Sequence, residues 1–186
     1  MIICLDLSYR KNSLGLDEFV APIAAIVKRM GKEARIMHHS GAGAEETADA
    51  EAIILCGTAL KDNVYAGRMG QFAWLCGCRL PVLGICAGMQ VLSLIYGGRL
   101  ENNCEIGSTG VEVVTPDPIF LGKDRFQVYE LHTFACTVPA DFDTLAISEK
   151  CVQAIRHWEK PVYGVMFHPE VRNEWVVERF LGKWED

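Results

Sequence analysis

The chain has 186 residues, enough for a single domain over residues 1–186 that buries about 70% of its extended surface. Half of it is hydrophobic and 23% charged, which excludes a disordered chain, and a net charge of −6 without a run of basic residues speaks against a nucleic-acid face. No apolar run approaches a membrane span, Met1–Asp6 lacks the basic start of a signal peptide, and eight scattered cysteines point to a reduced cytoplasmic protein rather than a disulfide framework.

Ile2–Asp6 is predicted as a first strand, followed by a polar loop. Apolar residues at helical spacing run from Glu18 to Met30, with Pro22 requiring a start close before it and Gly31 as a stop. Ala34–Met37 is predicted as a second strand. His38 and His39 follow it, but no convincing further metal ligands lie nearby, so the pair is read as structural. Residues 51–58 read as a strand entering a glycine turn, Tyr65–Leu75 as helix-compatible, and Pro81–Ile85 as another strand. Strands alternating with helices predict an α/β fold with a central, mostly parallel sheet covered on both faces. After Gly97 short β-rich runs follow, at 110–115, 126–129, 134–138, 145–147 and 152–156, as in an antiparallel addition to that sheet. A strand at 161–167 and an amphipathic helix at about 174–181 close the chain.

Two stretches carry chemistry. Gly84-Ile85-Cys86-Ala87-Gly88-Met89-Gln90 is a nucleophile elbow, G-x-S-x-G, with cysteine at its apex. The glycines permit a sharp strand-to-helix reversal. The start of the helix then offers N–H groups, Ala87's first, that favour negative charge on the sulfur or on an oxyanion. The plain alternative is a small buried hydrophobe, as most intracellular cysteines are. Tyr163-Gly164-Val165-Met166-Phe167-His168-Pro169-Glu170 places an imidazole just past an apolar strand, where parallel sheets carry their active residues. In extended chain His168 and Glu170 project to one side, so the carboxylate can orient the ring while its other nitrogen serves the thiol. The alternative is a histidine and a glutamate capping a sheet edge.

These two stretches, their order and their apolar flanks resemble the signatures of class I glutamine amidotransferases. Within that family the chain looks most like the separately encoded glutaminase subunits of GMP synthetases. The resemblance implies a flavodoxin-like fold and a catalytic triad of Cys86, His168 and Glu170. Cys86 would attack the side-chain amide of L-glutamine to give a γ-glutamyl thioester and ammonia, with His168 moving the proton and Glu170 holding His168. It also implies an oxyanion hole from Ala87 and the Gly57-Thr58 turn. Family members usually carry Gly-Gly-Pro in that loop, where this chain has Cys56-Gly57-Thr58-Ala59. Gln90, Leu131 and His132 match substrate-contacting positions, with Leu131 standing where serine is common. The two departures suggest an outlying branch and fit a low-activity or partner-activated glutaminase.

No cofactor or metal is expected: there is no Walker-type phosphate loop, and Cys76-Gly77-Cys78 has no second pair to complete a zinc site. A chain of this length leaves no room for an acceptor-binding domain, so the ammonia is expected to pass to a separate synthase subunit, GMP synthetase by the subgroup resemblance. Two alternatives stay open: a stand-alone γ-glutamyl or cysteine hydrolase on the same scaffold, and a regulatory subunit with impaired turnover.

Overall fold

Four short apolar runs set the frame, because a strand buried on both faces needs apolar residues at successive positions rather than at alternate ones. The computed structural model describes residues 1–183. Strands β1 (Ile2–Asp6), β3 (Ala52–Leu55), β4 (Val82–Ile85) and β9 (Val162–Val165) are buried at every position. With β2 (Ala34–His38) they form the parallel part of a nine-stranded sheet of order β2-β1-β3-β4-β9-β8-β7-β5-β6. The remaining members, β5 (Leu100–Val113), β6 (Arg125–Cys136), β7 (Phe142–Ile147) and β8 (Val152–His157), pair antiparallel.

Alternate residues of the parallel strands feed two cores. Ile2, Cys4, Ile54, Leu83 and Val165 face α1 (Ala21–Arg29) and α3 (Trp175–Gly182). Ile3, Leu5, Ile53 and Leu55 face α2 (Ala87–Ile95) together with Tyr65, Phe72 and Leu75. The predicted two-faced α/β arrangement with an antiparallel addition is therefore present, as a curled mixed sheet with few helices.

Three local expectations need correction. Residues 65–75 form no α-helix but successive 3₁₀ turns at Val64–Gly67, Met69–Gln71 and Ala73–Gly77. Gly67 and Gly70 each cost a helix interior about 1 kcal/mol, which favours short turns over one long helix. The helix at 18–30 opens with a π-helical turn, Leu16–Val20, before Ala21 begins the regular part. The second half holds a long β5–β6 hairpin where only fragments were expected, and its ladder shifts register between Asn102 and Glu105. The curl brings β6, nominally an edge strand, back to α2 and to the carboxyl ends of β4 and β9. Thus Tyr129 O accepts from His168 N at 2.9 Å, and Phe134 O accepts from Gln90 Nε2 at 2.7 Å. Among the described residues, no helix is long and apolar enough to cross a membrane.

Candidate active site

The parallel pairing of β4 with β9 aligns Gly84 with Gly164 and Ile85 with Val165, so Cys86 and His168 emerge from the same end of neighbouring strands. Cys86 N donates to Val165 O at 2.8 Å and fixes the elbow to β9. Cys86 holds φ +48° and ψ −103°, a conformation that non-glycine residues rarely adopt and that marks a strained functional turn. The flanking glycines serve a different end from the one expected. Neither has positive φ. A Cβ on Gly84 would lie 2.5 Å from the Gly88 carbonyl carbon, and one on Gly88 would lie 2.3 Å from Leu55 O. They let α2 lie directly against β3 and β4, while the strain falls on the cysteine.

His168 is fully buried, and its Nδ1 lies 2.7 Å from Glu170 Oε1, with both side chains about 1% exposed. The approach does not follow the extended geometry expected. Residues 169–170 form a turn, in which the amides of Val171 and Arg172 donate to the His168 carbonyl. Phe19 packs on the imidazole at 5.4 Å between centroids, and a Cβ on Gly57 would come within 2.7 Å of its Cε1. With Nδ1 engaged by the carboxylate, Nε2 remains for Cys86. Burial pushes the His168 pKa down, but the charge and hydrogen-bonding influence of Cys86, with the Glu170 carboxylate, outweighs it and holds the ring well above the usual histidine range. The shift favours the protonated ring, the form that can pass a proton to a leaving group.

A small pocket joins Cys86 to Thr58, Tyr65, Gln90, Leu131 and His132. Its free volume of about 10 Å³ holds roughly one water, so admitting an amino-acid substrate requires movement of the lining segments. A cavity of about 660 Å³ lies elsewhere, among Gly110, Arg125 and Ser148. Of the residues singled out in the sequence, Cys86, Thr58, Gln90, Leu131 and His132 line this pocket, Gly57 and Ala87 adjoin lining residues in the chain, and His168 and Glu170 are not among its lining. Ala87 begins α2, so its N–H lies ahead of the first helical hydrogen bond. Thr58 lines the pocket and donates its hydroxyl to Asp62 O at 2.9 Å, while Gly57 abuts His168; neither has positive φ. The Leu131 carbonyl accepts a weak S–H···O contact from Cys86 at 3.8 Å.

Gln90 differs in kind from the other lining residues. Its Nε2 is bonded to Phe134 O and its Oε1 accepts from the Tyr65 hydroxyl, so both ends of the amide are engaged within the protein. Sequence reasoning passed over Tyr65, which lay inside a supposed helix. It also passed over Glu105, Glu130 and Cys151, which converge on His132 from three chain segments. Only the fold joins those segments, so no local pattern in the sequence marks the cluster.

Residues 16–179 match the model of the family described as glutamine amidotransferase class-I. A relative from Methanothrix thermoacetophila, named as a glutamine-hydrolysing subunit of GMP synthase, is 36% identical over 141 residues, covering 71% of this chain and 76% of the relative. One of the same name from Pyrococcus abyssi is 39% identical over 97 residues, covering 50% of this chain and 52% of the relative. Among solved structures, a protein from Thermoplasma acidophilum described as a GMP synthase subunit superposes with a TM-score of 0.86 at 24% identity, over 98% of this chain and 92% of that one. A glutamine amidotransferase from Thermotoga maritima gives 0.70 at 20% identity, over 99% and 89% of the two chains. At these identities the structural likeness speaks for the fold alone.

Proposed function

The chain belongs to the class-I glutamine amidotransferases, and from that premise we propose that it hydrolyses the side-chain amide of L-glutamine on Cys86 and hands the ammonia to a separate GMP synthetase subunit. One observation carries the proposal: β4 and β9 end in register, setting a strained cysteine beside an imidazole whose other nitrogen is held by a buried carboxylate.

In this account the Cys86 sulfur attacks the amide carbon and forms a C–S bond. The carbonyl oxygen becomes an oxyanion, for which the Ala87 N–H and the backbone at Gly57-Thr58 are the candidate donors; such a donor is worth about 10²–10³ in rate. Collapse of the intermediate breaks the C–N bond, and the His168 proton leaves with ammonia. His168 then takes a proton from water, which attacks the thioester, and glutamate is released as the sulfur recovers its electron pair. Glu170 keeps the imidazolium oriented and charge-balanced throughout. Gln90 positions the Phe134 segment, and Leu131 and His132 offer backbone to the substrate.

The small pocket favours activation by a partner. A docked synthetase that shifts residues 58–65 or 131–134 would open the site only when an acceptor is present. The eight cysteines, all free, fit the reducing cytoplasm in which we place the protein.

The test is ammonia release from glutamine, alone and with a GMP synthetase subunit, together with co-elution on a sizing column. Stimulated release and a complex are expected. Unchanged release, no complex and a preference for γ-glutamyl peptides would select a stand-alone hydrolase instead.

A further inference from the structure

Beneath the pocket floor the β5–β6 ladder and the turn between β7 and β8 gather four side chains with metal-ligating atoms. Glu105 is the register partner of His132 across the hairpin. Donor atoms of Glu105, His132 and Cys151 all lie within 4.8 Å of one another. Cys151 Sγ is 3.1 Å from Glu105 Oε2, and His132 Nε2 is 3.6 Å from the same oxygen. Glu130, two residues before His132 and on the same side of β6, brings its Oε2 to 3.3 Å from His132 Nε2.

Three of the groups are deeply buried, and two of those, Glu130 and His132, hold polar atoms without partners. The side chains of Glu105, Glu130 and His132 are 4%, 0% and 1% exposed. Neither oxygen of Glu130 makes a hydrogen bond, nor does Nε2 of His132. Buried polar atoms are rarely left in this state, and two adjacent buried carboxylates repel. His132 Nδ1 lies 3.2 Å from the Asn103 carbonyl, an acceptor only, so Nδ1 carries the hydrogen. Nε2 therefore directs either a lone pair or a second proton at two carboxylates. A lone pair there is met by a protonated carboxyl or by a cation, and a thiol gathered with the two carboxylates favours the cation.

We propose that Glu105, His132 and Cys151, with Glu130 as fourth donor, bind a zinc ion that braces the substrate-facing strand. The donor set of one nitrogen, one sulfur and two carboxylates suits Zn²⁺, whereas Ca²⁺ and Mg²⁺ prefer oxygen throughout. In a tetrahedral centre with bonds of about 2.0–2.3 Å, neighbouring donors stand about 3.3–3.7 Å apart. The separations of 3.1 and 3.6 Å at Glu105 Oε2 are near these values, while Glu130, 3.3 Å from His132 but outside the group of three that lies within 4.8 Å, has to swing its carboxylate inward to complete the centre. On binding, the Cys151 thiol, which now donates to Glu105, releases its proton to solvent, and His132 contributes its Nε2 lone pair without redox change. The surrounding contacts have the form of an outer shell: Nδ1–H of His132 on a carbonyl, and Ser148 and Gln153 donating to Glu105 Oε2 at 3.1 and 3.0 Å. The ion would hold Leu131, whose carbonyl touches Cys86, from the far side of β6.

The full chain, stripped with chelator, should be titrated with Co²⁺ and Zn²⁺. One Co²⁺ per chain is expected, with tetrahedral visible bands and a thiolate-to-cobalt charge-transfer band. Zn²⁺ should displace it and raise the melting temperature. Cys151→Ser should lose the charge-transfer band, and Glu130→Gln should bind at least about tenfold more weakly. Cys104→Ser, altering an exposed thiol next in sequence to Glu105, should change neither. Circular dichroism on each variant separates a lost site from a lost fold. No Co²⁺ bound by the wild type, with nitrogen NMR finding a proton on His132 Nε2, would overturn the proposal in favour of an imidazolium. A spectrum and stoichiometry unchanged in folded Cys151→Ser would overturn it as well.

Discussion

The carboxylate of Glu170 reaches Nδ1 of His168 at 2.7 Å across a turn closed by two amides, those of Val171 and Arg172, which both donate to the His168 carbonyl. The backbone fixes the approach, so the pair is rigid before any substrate arrives. Removing the charge while keeping the shape isolates what Glu170 contributes as a positioning residue. Glu170→Gln is expected to lower kcat by about 10²-fold, the low end for groups that support acid–base transfer, with KM changed far less. The pH–rate profile should move as well. Glu170 is one of the groups that raise the His168 pKa, so the limb belonging to the imidazolium should shift to lower pH. An unmoved profile would show that Glu170 is only packing.

Cys86 acts on the same ring from its other side. His168 is raised in the folded state by Cys86 and Glu170 against the opposing effect of burial. A raised histidine adds stability that is complete below its unfolded value of about 6.5 and fades as pH climbs through the higher folded value. Cys86→Ala should lower the His168 midpoint followed by ring-proton NMR. It should also flatten the decline of melting temperature on the alkaline side. An unchanged midpoint would mean that sulfur and ring do not interact.

Gly88 has no room for a methyl group, since a Cβ there would sit 2.3 Å from Leu55 O, a backbone atom of β3 that cannot swing aside. Gly88→Ala should destabilise by about 1–3 kcal/mol, as overpacked cores do. For a chain of this size that corresponds to about 2–4 °C of melting temperature per kcal/mol. A wild-type melting temperature would mean that α2 is free to move off the sheet.

Tyr65 closes the pocket by donating to Gln90 Oε1, and Gln90 in turn holds Phe134. Tyr65→Phe strands a buried amide oxygen, and a loss of about 1–3 kcal/mol in denaturant unfolding is expected. Because the Phe134 segment loses an anchor, KM for glutamine should change more than kcat. Loss of stability without any effect on KM would place this chain of bonds outside the substrate's path.

The centre of the parallel sheet was legible because β3, β4 and β9 are buried apolar runs that lead into the Gly57 turn, Cys86 and His168. Both chemical stretches were legible for the same reason, each lying within a few consecutive residues. The logic for His168 and Glu170 was less sound than its conclusion: spacing along a strand suggested a shared side, whereas a turn brings the two together. The β5–β6 hairpin escaped because residues such as Glu101, Asn102 and Asn103 give its first half a polar, turn-like texture. Pairing with a distant strand stabilises it there, and no local pattern encodes that. The Glu105, His132 and Cys151 cluster was invisible in principle, since its members come from three segments joined only by the fold.

The central claim is a γ-glutamyl thioester on Cys86. Acid-quenched mixtures of the chain, glutamine and a GMP synthetase subunit should be digested and analysed by mass spectrometry. The account predicts that the peptide containing Cys86 gains one glutamyl group during turnover, and that Cys86→Ser neither gains it nor releases ammonia. Ammonia release at the wild-type rate from Cys86→Ser, or turnover with no glutamyl group on Cys86, would contradict it.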